Sequence, residues 1–323
     1  MHRRDLLTGS AAFLFFADAA SSERLSDDAA AARRYDTERR FIDTPFGRIA
    51  HIDRGTGPAA LFLHGFPLNS FQWRGAIERL SADRRCLAPD FLGLGYTQVA
   101  PGQAVTPAAQ VAMLAAFLDK LGVAQVDVIA SDSGGAVAQL FLVAYPARVR
   151  TVLLTNCDTE IDSPPPALLP VLEMAKDGTY PDRWLAPWLQ DKALARSAKG
   201  LGGMCFTNPD HPSDAAIDQY LAPLVSSRER KALVNHYALG LTPKPLAGIS
   251  ARLSRLTTPV AVVWGMSDTI FSSDSPDYLS GTLPGLCRVR EIAGAKLFFP
   301  EEYPDIIAEE ARALWARARS NAG

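Results

Sequence analysis

Short apolar runs alternate with longer amphipathic segments from Phe41 to the C-terminus. The short runs are rich in β-branched residues, as in Val126–Ala130, which is typical of strands covered on both faces. Helical patterns lie between them, for example over residues 107–121 and 136–145. The alternation predicts an α/β fold with a mostly parallel sheet flanked by helices. The predicted strands cover residues 48–52, 59–63, 85–88, 126–130, 152–155, 260–264 and 288–292.

Residues 158–250 interrupt this pattern, because they contain no convincing strand. The segment is rich in Leu, Ala, Trp and Pro and opens with Ser163-Pro164-Pro165-Pro166. We interpret it as a helical cap inserted into a core that comprises residues 41–157 and 251–323. Its aromatic residues either line an apolar cavity or fill the cap's own core; they are Trp184, Trp188, Phe206 and Tyr220.

The first forty residues carry a targeting pattern. Arg3 and Arg4 precede an apolar run, Leu6–Phe16, and Ala17-Asp18-Ala19 is a small-x-small cleavage pattern. Residues 1–20 are therefore predicted to be a twin-arginine export signal of a periplasmic or secreted protein. The alternative is an amphipathic start of a cytoplasmic protein. Residues 21–40 are interpreted as a linker or a loosely held helix, and the apolar run is too short to span a bilayer in the mature chain.

The composition mainly excludes some classes of partner and cofactor. With 323 residues, of which 48% are hydrophobic and 21% charged, the chain is long enough for one large core. A formal net charge of -2, without a long basic run, argues against a nucleic-acid partner and leaves a small molecule as the expected one. The oligomeric state is not indicated.

The cysteines show neither zinc-ligand spacing nor a C-x-x-C pair, and we expect no metal or organic cofactor. A disulfide between two of them is possible if the protein is exported. Of the four, Cys157 is interpreted as a buried, inert thiol rather than a pocket nucleophile. The cysteines are Cys86, Cys157, Cys205 and Cys287.

The strongest chemical signal is a strand that turns into a helix through Ser131-Asp132-Ser133-Gly134-Gly135. Small residues around a central nucleophile are typical of a nucleophile elbow, where the central residue has a strained backbone. The strand length and the paired glycines favour Asp132 as the central residue. A rival register places Ser133 there, and an ordinary turn capped by Asp or Ser is the structural alternative.

Further motifs follow the other predicted strands. His64-Gly65-Phe66-Pro67 comes after one strand, and the backbone N–H groups of Phe66 and Ser133 are predicted to stabilise an oxyanion. The imidazole of His64 is expected to be structural. A glycine loop begins at Asp90, and Asp268 stands just beyond a late strand, where the acid of a catalytic triad is expected.

In this order and spacing, the motifs of residues 41–318 resemble the α/β-hydrolase superfamily, nearest its haloalkane dehalogenase and epoxide hydrolase branch. The resemblance implies that Asp132 attacks a carbon that bears a halide or an epoxide oxygen. The resulting ester is then hydrolysed by water that a histidine activates. A small, largely apolar organic substrate is expected.

The chain departs from this branch beside the nucleophile. Dehalogenases of the branch often carry Trp after the nucleophile and Asn after the His-Gly pair, whereas this chain has Ser133 and Phe66. Phe66 matches epoxide hydrolases and fluoroacetate dehalogenases better. Trp73 is a further candidate for the pocket wall.

The second departure concerns the general base. The family places a histidine in a Gly-Ala-x-His-Phe turn, but residues 294–298 read Gly-Ala-Lys-Leu-Phe, so Leu297 occupies that position. No histidine follows His236. Three interpretations stay open: a substitute base, a lyase, isomerase or cyclase that uses Asp132 as its base, and a binding protein or pseudoenzyme. The substitute base would be His236 or Lys296, although a solvated lysine is the commoner case.

Other acidic and amide residues have two interpretations each. Asn156 and Asp158 lie where some family members place an alternative acid, but a turn or capping role fits equally well. Glu301 and Glu302 are predicted to cap the final helix, which runs to about Ala318.

Overall fold

A computed structural model describes residues 28–242 and 245–320 of the chain. The segment predicted to be an export signal, residues 1–20, lies outside the described residues. Export by the twin-arginine route therefore stays a prediction.

A nine-stranded sheet lies at the centre of the described chain, in the order β1-β2-β4-β3-β6-β7-β8-β9, with β5 paired to β2. Strands β4, β3, β6, β7, β8 and β9 run parallel, while β1, β2 and β5 form an antiparallel margin. The strands are β1 (Arg40–Thr44), β2 (Gly47–Arg54), β3 (Ala59–Leu63), β4 (Arg85–Pro89), β5 (Gln98–Val99), β6 (Val126–Asp132), β7 (Val149–Cys157), β8 (Val260–Gly265) and β9 (Leu286–Ile292).

Each of the seven predicted strands is present, and the mostly parallel sheet is confirmed. The sequence missed β1 and β5. Strand β1 has exposed and half-buried positions and no continuous apolar run, and β5 has only two residues. Both lie at the margin of the sheet, where a strand needs little apolar surface.

Helices flank the sheet and fill the insertion. Helix α2 packs with α14, and α3 packs with α4. Within the described ranges, every helix is too short or too polar to cross a membrane. The helices are α1 (residues 28–38), α2 (Arg74–Leu80), α3 (Pro107–Lys120), α4 (Ser133–Ala144), α5 (Leu169–Lys176), α6 (Ala186–Gln190), α7 (Lys192–Arg196), α8 (Leu201–Cys205), α9 (Asp214–Val225), α10 (Arg228–Gly240), α11 (Ser250–Leu253), α12 (Ser275–Thr282), α13 (Phe299–Glu302) and α14 (Pro304–Ser320).

In the described residues the insertion between β7 and β8 consists of helices joined by loops, and it adds no strand to the sheet. Helices α5 to α10 follow each other there, and the contacts of α10 with α5 and α9 join them to one another. This is the arrangement expected of a cap over the carboxyl ends of the parallel strands.

Helix α1 occupies residues 28–38 of the segment interpreted as a linker or a loosely held helix, and it is attached to the core. Its Tyr35 is buried, donates a hydrogen bond of 2.6 Å to the carbonyl oxygen of Ser70, and lies edge-on to Phe71. Ala32 is buried as well. Two buried side chains in an Ala- and Arg-rich stretch give almost no periodic signal, although the phenol anchors the helix to the core.

The four cysteines are all free, so the disulfide left open by the sequence does not form. Cys86, Cys157 and Cys205 are buried, and Cys287 is half-buried.

Candidate active site

The turn between β6 and α4 is built around Asp132. With φ 55° and ψ −136°, Asp132 is the one non-glycine residue with positive φ in the described part of the chain. Such a conformation costs about 1–3 kcal/mol and persists only where the surrounding structure enforces it. Ser133 is the first residue of α4. The backbone therefore has the geometry of a nucleophile elbow centred on Asp132 and not on Ser133.

The two glycines after the elbow allow α4 to begin very close to the sheet. A Cβ at Gly134 would lie 2.5 Å from the carbonyl oxygen of Leu63, and one at Gly135 would lie 2.3 Å from the Cβ of Cys157. Any larger residue would push the helix away and displace the elbow. The same packing encloses Cys157, and burial raises the pKa of its thiol well above the ordinary value. The structure thus gives Cys157 a packing role.

Two backbone N–H groups converge on the Asp132 carboxylate. Phe66 N donates to Oδ1 over 2.9 Å, and Ser133 N donates to the same oxygen. These are the two donors predicted from the sequence. Gly65 makes the approach possible, since a Cβ there would lie 2.7 Å from the Cβ of Asp132.

His64 fixes the loop that carries Phe66. Its Nε2 accepts a hydrogen bond of 3.0 Å from Phe91 N, which leaves Nδ1 to donate to the carbonyl oxygen of Gly65 over 2.9 Å. Both ring nitrogens are engaged in a fully buried, neutral imidazole, whose pKa is lowered by burial. His64 is structural and does not reach the cavity described next.

The Asp132 carboxylate faces a cavity of about 110 Å³ between the core and the insertion. A volume of this size holds on the order of ten non-hydrogen atoms. The wall is predominantly apolar, and its polar side chains include Asp132, Ser133, Asp158 and the phenol of Tyr180. The apolar side chains are Phe66, Pro67, Pro165, Ala167, Leu168, Val171, Trp184, Trp188, Leu201, Met204, Cys205, Leu241, Ile270, Phe271 and Leu297.

Of the four cap aromatics named from the sequence, two reach this cavity. Trp184 and Trp188 line it, with ring centroids 5.3 Å apart. Phe206 instead stacks on His211, and the hydroxyl of Tyr220 donates to Glu301. The sequence pattern could not separate the two groups, because the side of the insertion that each aromatic residue faces depends on how its helices pack.

Burial dominates the electrostatics of Asp132. Removal from water raises the pKa of its carboxyl to about 6, although the N–H groups of Phe66 and Ser133 favour the ionised form. No lysine, arginine or histidine among the described residues forms an ion pair with it. Asp132 is therefore mostly ionised at neutral pH and becomes protonated as the pH falls through about 6.

Asp268 lies on the loop after β8, as predicted, and is held by Asn156. Its Oδ2 accepts a hydrogen bond of 2.9 Å from the side-chain amide of Asn156, and its Oδ1 accepts one of 2.9 Å from Ile270 N. Burial raises the pKa of Asp268 to about 6. Asn156 also accepts from Gly265 N over 2.6 Å, so it ties the end of β7 to that of β8. Neither Asp268 nor Asn156 lines the cavity.

Leu297 does line the cavity, with its side chain buried. No histidine is among the residues that line the described cavity. The position that the resemblance assigns to the general base therefore faces the cavity and carries a hydrocarbon side chain.

Three residues proposed from the sequence are elsewhere. His236 is exposed on α10, where its neighbour Tyr237 faces inward, because adjacent helix residues point about 100° apart. The Nζ of Lys296 donates to the carbonyl oxygen of Gly203 over 2.6 Å, and Trp73 is fully buried beside Phe62. None of the three lines the cavity, which corrects their assignment as substitute bases or pocket wall.

Asp158 is the site residue whose role the sequence left undecided. It directly follows β7 and lines the cavity with Asp132. Burial, and next the charge of Asp132, raise the pKa of Asp158 to about 8. The available signal was an acidic residue immediately after a strand buried along almost its whole length, beside the elbow strand.

Glu301 and Glu302 do not cap the final helix, which begins at Pro304. The Glu301 carboxylate is buried, pairs with Arg74 over 2.7 Å, and accepts 2.7 Å from the hydroxyl of Tyr220. The Glu302 carboxylate accepts from the backbone N–H groups of residues 207 and 208, each over 2.8 Å. Both glutamates join the insertion to the core, which a local sequence pattern cannot reveal.

Comparison with known proteins agrees with this geometry. Residues 58–302 match the model of the alpha/beta hydrolase fold family. Haloalkane dehalogenase 2 of Mycobacterium bovis is 29% identical over 293 residues, which covers 85% of this chain and 93% of that protein.

Two solved structures share the fold. The haloalkane dehalogenase DbeA from Bradyrhizobium elkani superposes with a TM-score of 0.70 at 20% identity, over 86% of this chain and 99% of that one. The epoxide hydrolase CorEH superposes with a TM-score of 0.70 at 21% identity, over 86% and 98%.

Proposed function

The chain belongs to the alpha/beta hydrolase fold family, and from this premise we propose that it is an enzyme that uses Asp132 as a nucleophile on small, apolar organic molecules. Within the family it resembles haloalkane dehalogenases and epoxide hydrolases. In the proposed reaction Asp132 displaces a leaving group from carbon and becomes an alkyl ester, which water then hydrolyses.

One observation carries the proposal: the buried Asp132 carboxylate faces an apolar cavity while two N–H groups hold its Oδ1. These bonds leave Oδ2 as the attacking atom. When water adds to the ester carbon, the charge that develops on Oδ1 is already met by the N–H groups of Phe66 and Ser133. The donors need no rearrangement between the two half-reactions.

The residues beside Asp132 favour an oxygen leaving group over a halide. At positions 66 and 133 the side chains are a phenyl ring and a hydroxyl, so neither supplies the side-chain N–H donor that suits a halide. Ser133 Oγ lies 3.0 Å from the hydroxyl oxygen of Tyr237, and the phenol of Tyr180 lines the cavity. We therefore favour an epoxide as the substrate class. The cavity limits its size to on the order of ten non-hydrogen atoms.

A second candidate function rests on Leu297. Without a histidine at this position, Asp132 could serve as a base in a lyase, isomerase or cyclase reaction. A carboxylate with a pKa of about 6 is well matched to proton abstraction near neutral pH.

Turnover of a panel of short epoxides and alkyl halides tests the proposal, with intact-protein mass spectrometry to detect an ester. Asp132→Asn is expected to lower turnover by at least about 10⁴-fold, as loss of a nucleophile does. Ser133→Ala is the matched control and should retain most activity. The reverse pattern would assign the nucleophile to Ser133. Equal activity of wild type and Asp132→Asn would refute the proposal, and an isomerised product without oxygen from solvent water would favour the second candidate.

A further inference from the structure

A second carboxyl group shares the cavity with Asp132. Cys157, the last residue of β7, is the register partner of Asp132 on β6, and Asp158 comes next. Because adjacent strands lie about 5 Å apart, the two aspartates emerge side by side at the carboxyl ends of the sheet. The side chain of Cys157 packs under Gly135, whereas that of Asp158 lines the cavity.

The position of Asp158 is fixed relative to the elbow. The side-chain amide of Gln139, on α4, donates to the carbonyl oxygens of Asp158 over 2.7 Å and of Gly135 over 3.1 Å. One buried side chain therefore ties the backbone of Asp158 to the helix that begins directly after Asp132.

Nothing cationic neutralises this pair in the part of the chain that the structure describes. The titratable groups that face Asp158 are Asp132, Asp162, Cys157 and Tyr237. Burial and the Asp132 charge raise the pKa of Asp158 to about 8, while the pKa of Asp132 is about 6. Near pH 7 one carboxyl is ionised and the other carries a proton, the division expected when two carboxyls perform two roles.

We propose that Asp158 acts as the general acid and then as the general base of the reaction at Asp132, in place of the histidine that Leu297 replaces. The inference rests on the proposed nucleophilic role of Asp132. It gives a function to a carboxyl group in an apolar wall, where burial without a charged partner disfavours the ionised form.

In the first half-reaction, Oδ2 of Asp132 attacks an epoxide carbon and the carbon–oxygen bond of the ring breaks. The electron pair of that bond moves to the departing oxygen, which takes the proton of Asp158. The products are an alkyl ester on Asp132, a hydroxyl group on the substrate, and an ionised Asp158.

In the second half-reaction, ionised Asp158 accepts a proton from water, and the hydroxide adds to the ester carbon of Asp132. The tetrahedral intermediate collapses with loss of the alkoxide, which takes the proton of the newly formed Asp132 carboxylic acid. A diol leaves, and Asp132 is again ionised and Asp158 protonated. A carboxyl that alternates between acid and base beside a carboxylate nucleophile is known chemistry in glycoside hydrolysis.

Asp158→Asn, assayed with a primary alkyl bromide and a terminal epoxide, separates the two half-reactions. Bromide needs no proton to leave, so the variant should release about one equivalent of bromide and then stall. In the wild-type protein the proton of Asp158 passes to solvent water once the ester has removed the Asp132 charge, which otherwise raises the pKa of Asp158, and Asp158 can then act as the base. Steady-state turnover should fall by about 10²- to 10⁴-fold, with the alkyl mass retained on Asp132. With the epoxide, both half-reactions should slow.

The matched control is Asp162→Asn. Asp162 is a neighbouring carboxyl group that does not line the cavity. Its Oδ2 accepts a hydrogen bond of 2.6 Å from Ser272 N. This variant should turn over the bromide at the wild-type rate. The double variant Asp158→Asn, Leu297→His should regain ester hydrolysis, since an imidazole then faces the cavity, and this rescue would exclude a folding defect.

Wild-type turnover by Asp158→Asn would overturn the inference, as would a wild-type protein that itself accumulates the ester. In both cases bromide release would still support Asp132 as the nucleophile. No bromide, no diol and no adduct from either substrate with the wild-type protein would instead refute the proposed function, and this inference with it.

Discussion

Asp132 and Asp158 line one apolar cavity, and their contacts give them different protonation states at neutral pH. Burial alone raises the pKa of both, because water no longer solvates the charged form. The difference between them arises at the level of single contacts. Asp132 accepts two backbone N–H groups that favour its charge, and that charge then disfavours ionisation of Asp158.

These contacts predict a bell-shaped pH profile for kcat/KM with an epoxide. Activity should fall as the pH drops through about 6, where Asp132 becomes protonated, and fall again as the pH rises through about 8, where Asp158 loses its proton. Initial rates across this range measure both limbs. Because the two groups interact, the two pKa values obtained from the profile belong to the pair and not to either residue alone.

The control for this profile is the burst of bromide from an alkyl bromide, which needs no acid. The rate of this burst should still fall as the pH drops through about 6, but it should stay level as the pH rises through about 8. A profile for the epoxide that stays level above pH 8 would contradict the assignment of Asp158 as the acid.

At the scale of elements, α13 and the loop before it attach the insertion to the core. Glu301 lies between Arg74, where α2 begins, and Tyr220 on α9. Its side chain is 1% exposed, and Arg74 is its permanently charged partner, while His211 Nε2 lies 3.7 Å from Oε1. The wall of the cavity is shared between core and insertion, and this attachment maintains the distance between them.

Arg74→Ala is therefore expected to lower the free energy of unfolding by about 3–5 kcal/mol, since it removes the arginine from a buried carboxylate and leaves His211 as the basic group beside it. Urea denaturation of the variant and the wild type measures the difference. Arg79→Ala is the matched control, because its partner Asp305 is 81% exposed, and it should cost no more than about 1 kcal/mol. Equal losses in the two variants would show that Glu301 does not depend on Arg74.

At the scale of the whole molecule, stability comes from one continuous core without covalent cross-links. The core includes both faces of the parallel sheet, and α1 adds Tyr35 to it. All four cysteines are free, and three of them are buried.

The midpoint of thermal unfolding should therefore be the same with and without reductant, whereas loss of a native disulfide usually costs about 2–5 kcal/mol. In the folded protein a thiol reagent should modify Cys287 first, since it is the half-buried thiol, and the other three only after unfolding. Cys287→Ser provides the control by removing the fast phase. A lower midpoint in reductant would indicate a cross-link that the structure lacks.

The sequence by itself determined the parts of this protein that depend on local chain properties. Apolar runs of strand length predicted seven of the nine strands. The turn at Asp132, the two N–H groups that donate to it and the position of Leu297 could be predicted because each depends on neighbouring residues and on motif order.

Only the tertiary structure decided which polar side chains face the cavity. Asp158 lies beside Asp132 because two strands pair in one register, while His236 faces solvent because of the rotation of α10. Glu301 meets Arg74 across 227 positions of the chain, and Tyr35 meets Ser70 across 35. Such contacts depend on the packing of distant elements, which local periodicity does not specify.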